Sequence, residues 1–274
     1  MRFLADGPDI PDELLWAQDK GRVVFFCGAG VSMAQADLPD FRTLTKNVLN
    51  HLNAQPDSDA KRLFDLDVHV NKNHDIPGVV SYDRVFGLLE RDFNTSQINT
   101  AVAKCLKTDD DVDLGAHKTL IKLGTLQSGK TRLVTTNFDR LFEKSNRSLN
   151  AKTRSSLSYI AYNEFDWGIV HLHGVVNDTY SGATQDGFVL SSASFGEAYL
   201  AGGWAREFVK SVLERHVAVF VGYQADDTPI RYLLEGLQST ASIKNPAFAF
   251  QLSGNADAIA SWDEKGVKPI EYDT

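Results

Sequence analysis

The sequence predicts an α/β fold: a doubly wound, mostly parallel sheet with a helical insertion. Two observations predict it. Short apolar runs rich in β-branched and aromatic residues, such as RVVFFC at 22–27 and HVAVFVGY at 216–223, are unbroken by polar positions. A strand covered on both faces reads this way, and parallel sheets are covered on both faces. Between these runs lie segments with apolar residues at helical spacing, and strands alternating with helices imply βαβ units.

Taken in order, DELLWAQDK at 12–20 reads as a short helix closed by Gly21, and RVVFFC as the first strand. Phe41, Leu44, Val48, Leu49 and Leu52 recur on one helical face, with Asp40 as the cap. Residues 55–115 are mixed and helical in pattern, including FGLLERDF and INTAVAKCLK, and end in a solvated acidic loop at Asp109, Asp110, Asp111 and Asp113. The α/β pattern then resumes. HKTLIKLGTL is helical, RLVTTN at 132–137 and GIVHLHG at 168–174 are strands, and Trp204, Phe208, Val212 and Leu213 share one helical face. HVAVFVGY is a strand, TPIRYLLEGLQS at 228–239 a helix, and PAFAFQLS at 246–253 a strand; VKPIEYDT ends the chain as another. We expect one domain over 1–274, its core about 12–54 and 116–274 and its insertion about 55–115, and a fragment of a longer chain.

Composition narrows the function. The 274 residues carry 36 acids against 28 bases, a net charge of −8, with no dense basic run, which argues against direct nucleic-acid binding through the phosphate backbone. No apolar run approaches the roughly 18 residues of a membrane span, and MRFLADGPDIPDELL lacks the apolar centre of a signal peptide. Two cysteines, Cys27 and Cys105, make neither a disulfide framework nor a zinc ribbon. Reduced thiols fit a cytoplasmic location.

Ligands of doubly wound sheets bind beyond the carboxyl ends of the strands, and the distinctive motifs fall there. Gly28 and Gly30 follow the first strand, where the lack of a Cβ permits a tight turn and close approach of a phosphate. The dinucleotide fingerprint is incomplete: Met33 takes its third glycine position, and Asn50, His51 and Asn53 stand where an acid would bind ribose. Spacing alone leaves a nucleotide site and a structural turn both open. GTLQSGKT at 124–131 matches the phosphate-loop pattern, yet a helix precedes it and a strand follows, the reverse of what that loop needs. It reads as a helix-to-strand connection with Lys130 in solvent. TTNFD at 135–139 and HLHG at 171–174 close two further strands. In an alternating strand His171 and His173 would share a face, but no third ligand at suitable spacing makes them a metal site, so no metal is expected.

GAGVS, LPDFR, TTNFD and HG, in this order on an α/β frame, resemble the sirtuin family of NAD-consuming enzymes. The resemblance is specific over 22–53 and 132–174 and looser over about 215–250. It implies a Rossmann-like fold with NAD as substrate. It implies that Gly28, Ala29, Gly30, Val31 and Ser32 cradle the pyrophosphate and that Asp40, Phe41 and Arg42 lie over the nicotinamide side. Asn137 would sit beside the ribose, Asp139 would bond the carboxamide, and His173 would be the general base. Gly222 and Tyr223 would receive the adenosine part, although VGYQADD departs from the family's usual sequence there. The protein-deacylating members carry a zinc ribbon on two cysteine pairs, which two cysteines cannot build. What remains resembles the branch of bacterial antiphage defence that hydrolyses NAD itself. That branch implies a homo-oligomer and a partner defence protein such as an ATPase. A protein deacylase or ADP-ribosyltransferase, and a non-catalytic NAD or ADP-ribose sensor, are the alternatives.

Overall fold

The computed structural model describes residues 1–74, 81–157, 168–225, 227, 230, 232, 234 and 245–273, with 67–74 described by backbone alone. In chain order the elements are α1 (Asp12–Asp19), β1 (Val23–Cys27), α2 (Ala29–Ala36), α3 (Phe41–His51), α4 (Asp59–His74), α5 (Tyr82–Asp92), α6 (Thr95–Cys105) and α7 (Gly115–Gly124). There follow β2 (Arg132–Thr135), α8 (Leu141–Ser145), β3 (Ala151–Lys152), β4 (Gly168–His171), α9 (Ser192–Gly196), α10 (Trp204–Arg215), β5 (Val217–Val221), β6 (Ala247–Leu252), α11 (Ala256–Glu264) and β7 (Val267–Tyr272). Among the described residues, the strands form one sheet in the order β3-β4-β2-β1-β5-β6-β7. Every pairing is parallel, which makes this a Rossmann-like doubly wound sheet.

β1 is central and buried at all five positions. Its residues divide between two cores by strand alternation. Val24 and Phe26 join Val134, Val170 and Phe220 under α10 and Trp262. Phe25 and Cys27 join Leu133, Ile169 and Val219 under Leu14 of α1 and Leu120 and Ile121 of α7. A third core holds α3, α5 and α6 together through Leu44, Val48, Phe86, Leu89 and Val102, and Phe138, Val175 and Val176 join it from the loops after β2 and β4. The segments that follow two strands are thus pinned to the helices at 41–105.

Several boundaries differ from the sequence reading. β2 stops at Thr135 and β4 at His171, short of the strands expected over 132–137 and 168–174; after β4 the chain turns at Gly174 with φ +90°. α2 begins directly after Gly28, and α11, capped by Asn255 on the Ala258 amide, precedes β7. Neither shows a strong apolar stripe: α2 buries Val31 and Ser32, and α11 only Trp262. The 124–131 segment does connect α7 to β2, closing on a Thr125–Thr131 bridge through Gly129, with Lys130 exposed. The helix expected at 228–239 lies outside the described residues apart from positions 230, 232 and 234. No described helix is long and apolar enough to cross a membrane.

Candidate active site

β1 leads to β2 on one side and has β5 on the other, so the sheet's winding reverses between β1 and β5. A crevice opens at such a switch point. Here it is a cavity of about 380 Å³ lined by Ala29, Gly30, Ser32, Asp40, Phe41, Asn137, Asp139, His173, Gly222 and Tyr223, together with Thr136, Gln224, Asp227 and flanking apolar residues. That is within the lower part of the ~300–1,000 Å³ usual for small-molecule sites.

The first turn is glycine because another loop lies on it. A Cβ on Gly28 would stand 2.6 Å from the Gly222 carbonyl oxygen and 2.6 Å from Tyr223 Cδ1; one on Gly30 would stand 2.9 Å from Gly222 Cα. The Gly28 amide donates to the Val221 carbonyl and the Gly30 amide to the Gly222 carbonyl, each at 2.8 Å. These two amides, which the resemblance assigns to a pyrophosphate, thus bind protein. Tyr223 stitches the strand ends: its hydroxyl donates to the Cys27 carbonyl at 3.1 Å and pairs with Thr136 Oγ1 at 2.9 Å.

Asn137 and Ser32 meet across 105 residues of chain. Asn137 Nδ2 donates to the Gly28 carbonyl at 3.0 Å and to Ser32 Oγ at 3.1 Å. Ser32 Oγ donates to Asp139 Oδ2 at 2.8 Å, and Asp139 Oδ1 accepts from the Leu141 amide at 3.0 Å. His117 Nε2 lies 3.3 Å from Ser32 Oγ. Since the single Ser32 proton goes to Asp139, His117 must donate Nε2–H, which leaves its buried Nδ1 bare and without a partner. Burial lowers the His117 pKa, with Asp139 opposing.

His173 comes from the turn after β4. Its Nε2 lies 2.7 Å from the Tyr199 hydroxyl, and its ring meets Phe195 and Tyr199 edge-on. Burial pushes its pKa down to about 3. Unfolded histidine takes a proton near 6.5. The stability this residue contributes is therefore whole above pH 6.5 and is lost as pH falls from there toward 3.

On the opposite wall, Phe41 stacks on Phe86 at 5.6 Å between ring centres. Asp40 caps α3, its Oδ1 accepting from the Thr43 amide at 2.7 Å. Three residues of the expected set do not line the cavity. Gly28 lies beneath the Gly222–Tyr223 loop, Val31 packs into the core under α7, and Arg42 is exposed on α3. His171 and His173 also part company: His171 faces Glu143 and the Asn137 carbonyl, and His173 faces Tyr199. Among the described residues, no group of three or more His, Cys, Asp or Glu side chains is placed to hold a metal ion.

Sequence reasoning missed His117, Phe195 and Tyr199. Phe195 and Tyr199 stand four residues apart in a helical stretch, a spacing that puts both on one face and could have flagged them. His117 carried no signal; only the packing of α7 on α2 brings it to Ser32.

Residues 131–270, just over half of the chain, match the SIR2-like domain family, so TTNFD and HG fall inside the match and the glycine turn outside it. The whole chain is 33% identical, over 287 aligned residues, to the uncharacterized protein y4cA of Sinorhizobium fredii (strain NBRC 101917 / NGR234), and it spans 23% of that protein's length. With its motifs gathered on one cavity and this match over its second half, the chain belongs to the SIR2-like domain family, whose activities depend on NAD.

Proposed function

We propose that the protein is an NAD⁺ hydrolase, cleaving the nicotinamide–ribose bond to give nicotinamide and ADP-ribose. The observation that carries this reading is the convergence of Asn137 and His173, from the segments that follow two neighbouring strands, on the wall of one cavity with Ser32 and Asp139. A pure binding module has no need of a buried, uncharged imidazole there.

The chemistry suits these groups. As the glycosidic bond breaks, its electron pair passes to the pyridinium nitrogen and nicotinamide leaves neutral, so no general acid is required. The sugar carbon passes through an oxocarbenium-like state, as in glycoside cleavage. Water then attacks that carbon and releases a proton. Water bonding to such a cation becomes strongly acidic, so even a base weakened by burial can take its proton. The His173 ring must offer one bare nitrogen; with Nε2–H donated to Tyr199, that atom is Nδ1. Asn137 orients the water or the ribose hydroxyls, and Phe41 shields the cation.

A protein deacylase reading is disfavoured because two cysteines cannot form the zinc ribbon of those enzymes. The setting we propose is antiphage defence by NAD depletion in the cytoplasm. The protein would act there as a homo-oligomer with a partner defence protein such as an ATPase. The test is incubation with NAD⁺ alone, with nicotinamide and ADP-ribose followed by chromatography. Equal amounts of both products are expected without any acyl-peptide or acceptor protein. Nicotinamide released only when such an acceptor is added would reject hydrolysis in favour of group transfer.

The depressed His173 pKa makes a second expectation. The ring is already uncharged throughout the neutral range, so turnover between about pH 5 and 8 has no inflection near 6.5, where an ordinary histidine titrates. An acid limb centred near that value, assigned to His173 by its loss in His173→Gln, would count against a buried base.

A further inference from the structure

β4 ends at His171, and the ring of this residue is fully buried. Nδ1 lies 3.2 Å from the Asn137 carbonyl oxygen, and Nε2 lies 3.1 Å from Glu143 Oε1 on α8. A carbonyl only accepts, and so does an ionised carboxylate. A ring that satisfies both must carry both protons. The charged groups acting on the pair are Glu143 itself, Asp139, and Arg140 beside Glu143. Burial is the largest single influence and would drive the imidazole neutral, but Glu143, the Asn137 carbonyl and Asp139 together outweigh it and the His171 pKa is raised. Burial likewise is the largest single influence on Glu143 and favours its neutral form, but His171, a backbone hydrogen bond and Arg140 together outweigh it and the pKa of the carboxyl is lowered. The two directions agree.

Asn137 is tied at each of its neighbouring groups. Its amide N–H donates to Thr135 Oγ1 at 3.0 Å, and Thr135 Oγ1 donates to the Cys27 carbonyl at 2.8 Å. Its side chain donates to Gly28 and Ser32, and its carbonyl faces His171. The bond from His171 is the one that a charged donor makes, and such bonds are roughly twice as strong as neutral ones.

We propose that His171 is a positioning residue, a buried imidazolium held by Glu143 that anchors the Asn137 main chain through its carbonyl and so sets the Asn137 amide against the cavity. Its consequence for turnover rests on the reading of Asn137 as a group acting at the reacting sugar. Misplacement of such a group by about 1 Å can cost 10²-fold. The family motif does not call for this residue; what singles it out is the pair of acceptors on opposite edges of one buried ring.

The whole protein supplies the test. In histidine ¹⁵N spectra at pH 7.5, both His171 nitrogens are expected to be protonated. In Glu143→Gln the ring becomes neutral, keeping Nδ1–H on Asn137 and accepting from the new amide at Nε2. The Asn137 carbonyl ¹³C shift moves between the two proteins as its donor loses charge. A neutral His171 in the wild type, or an unmoved Asn137 carbonyl, overturns the proposal whatever reaction the site performs. In nicotinamide release, Glu143→Gln and His171→Gln each lower kcat by roughly 10-fold or more, with KM for NAD⁺ changed by less than about threefold. A lowered Tm with unchanged kcat overturns it too, leaving a purely structural pair. If the wild type releases no nicotinamide, the hydrolase reading fails instead, and the spectra still decide whether the imidazolium anchors Asn137.

Discussion

Replacing His173 or Asn137 by alanine lowers nicotinamide release by roughly 10²- to 10⁴-fold, the range that general-base and positioning effects allow. The two residues fail for different reasons. His173→Ala removes the proposed proton acceptor and leaves the buried Tyr199 hydroxyl without its 2.7 Å partner. Asn137→Ala removes an amide that also bonds the Gly28 carbonyl and Ser32 Oγ, so it loosens the first turn as well. A variant that strands a buried polar group costs about 1–3 kcal/mol of stability. Turnover must therefore be compared at a temperature where circular dichroism shows both variants folded. His173→Gln is the cleaner control, since an amide can still bond Tyr199 but cannot act as a base at neutral pH. Removing both residues costs much less than the product of the single losses, because groups that act on one step are not additive. Nicotinamide release that survives undiminished in either alanine variant removes that residue from the mechanism.

The largest effect on stability is expected at the contact between the first turn and the β5 loop. Gly222 has φ +73°, and a Cβ there would stand 2.6 Å from the Val31 amide nitrogen, which is backbone and cannot rotate aside. The left-handed conformation costs a non-glycine residue about 1–2 kcal/mol, and overpacking adds about 1–3. Gly222→Ala should therefore destabilise by about 2–5 kcal/mol, read from the shift in urea midpoint. Gly28→Ala separates the two causes. Its φ of −101° is open to any residue, so its cost comes from contact alone, against the Gly222 carbonyl and the Tyr223 ring. It is expected to lose less than Gly222→Ala, yet more than the ~0.5 kcal/mol of an ordinary surface change. A loss below that value at both positions would mean the two loops do not touch. Since Gly222 and Gly28 also border the cavity or bond Asn137, each variant that folds is expected to hydrolyse NAD⁺ more slowly.

Much of the frame is legible in the sequence. A run such as VVFFC can be buried at every position only in a strand covered on both sides, and β1 is central in an all-parallel sheet. Three of the motifs are legible as well, since the glycine turn, TTNFD and HG each follow an apolar run where a parallel strand must deliver its ligand-facing loop. Short elements escaped: α2 and α11 bury only one or two residues each, so neither leaves a periodic stripe to read.

Sequence alone therefore determined the sheet, its parallel sense and the ends at which chemistry collects, because burial on two faces and strand-end loops are local consequences of apolar patterning. Only the tertiary structure decided what those ends do with their polar groups. It committed the Gly28 and Gly30 amides to the β5 loop, gave His117 to Ser32 and Tyr199 to His173, and turned His171 away from His173 toward Glu143. Hydrogen bonds between residues tens to more than a hundred positions apart depend on how the layers pack. So does the desolvation that takes His173 far below its ordinary pKa. Neither leaves a trace in the order of residues along the chain.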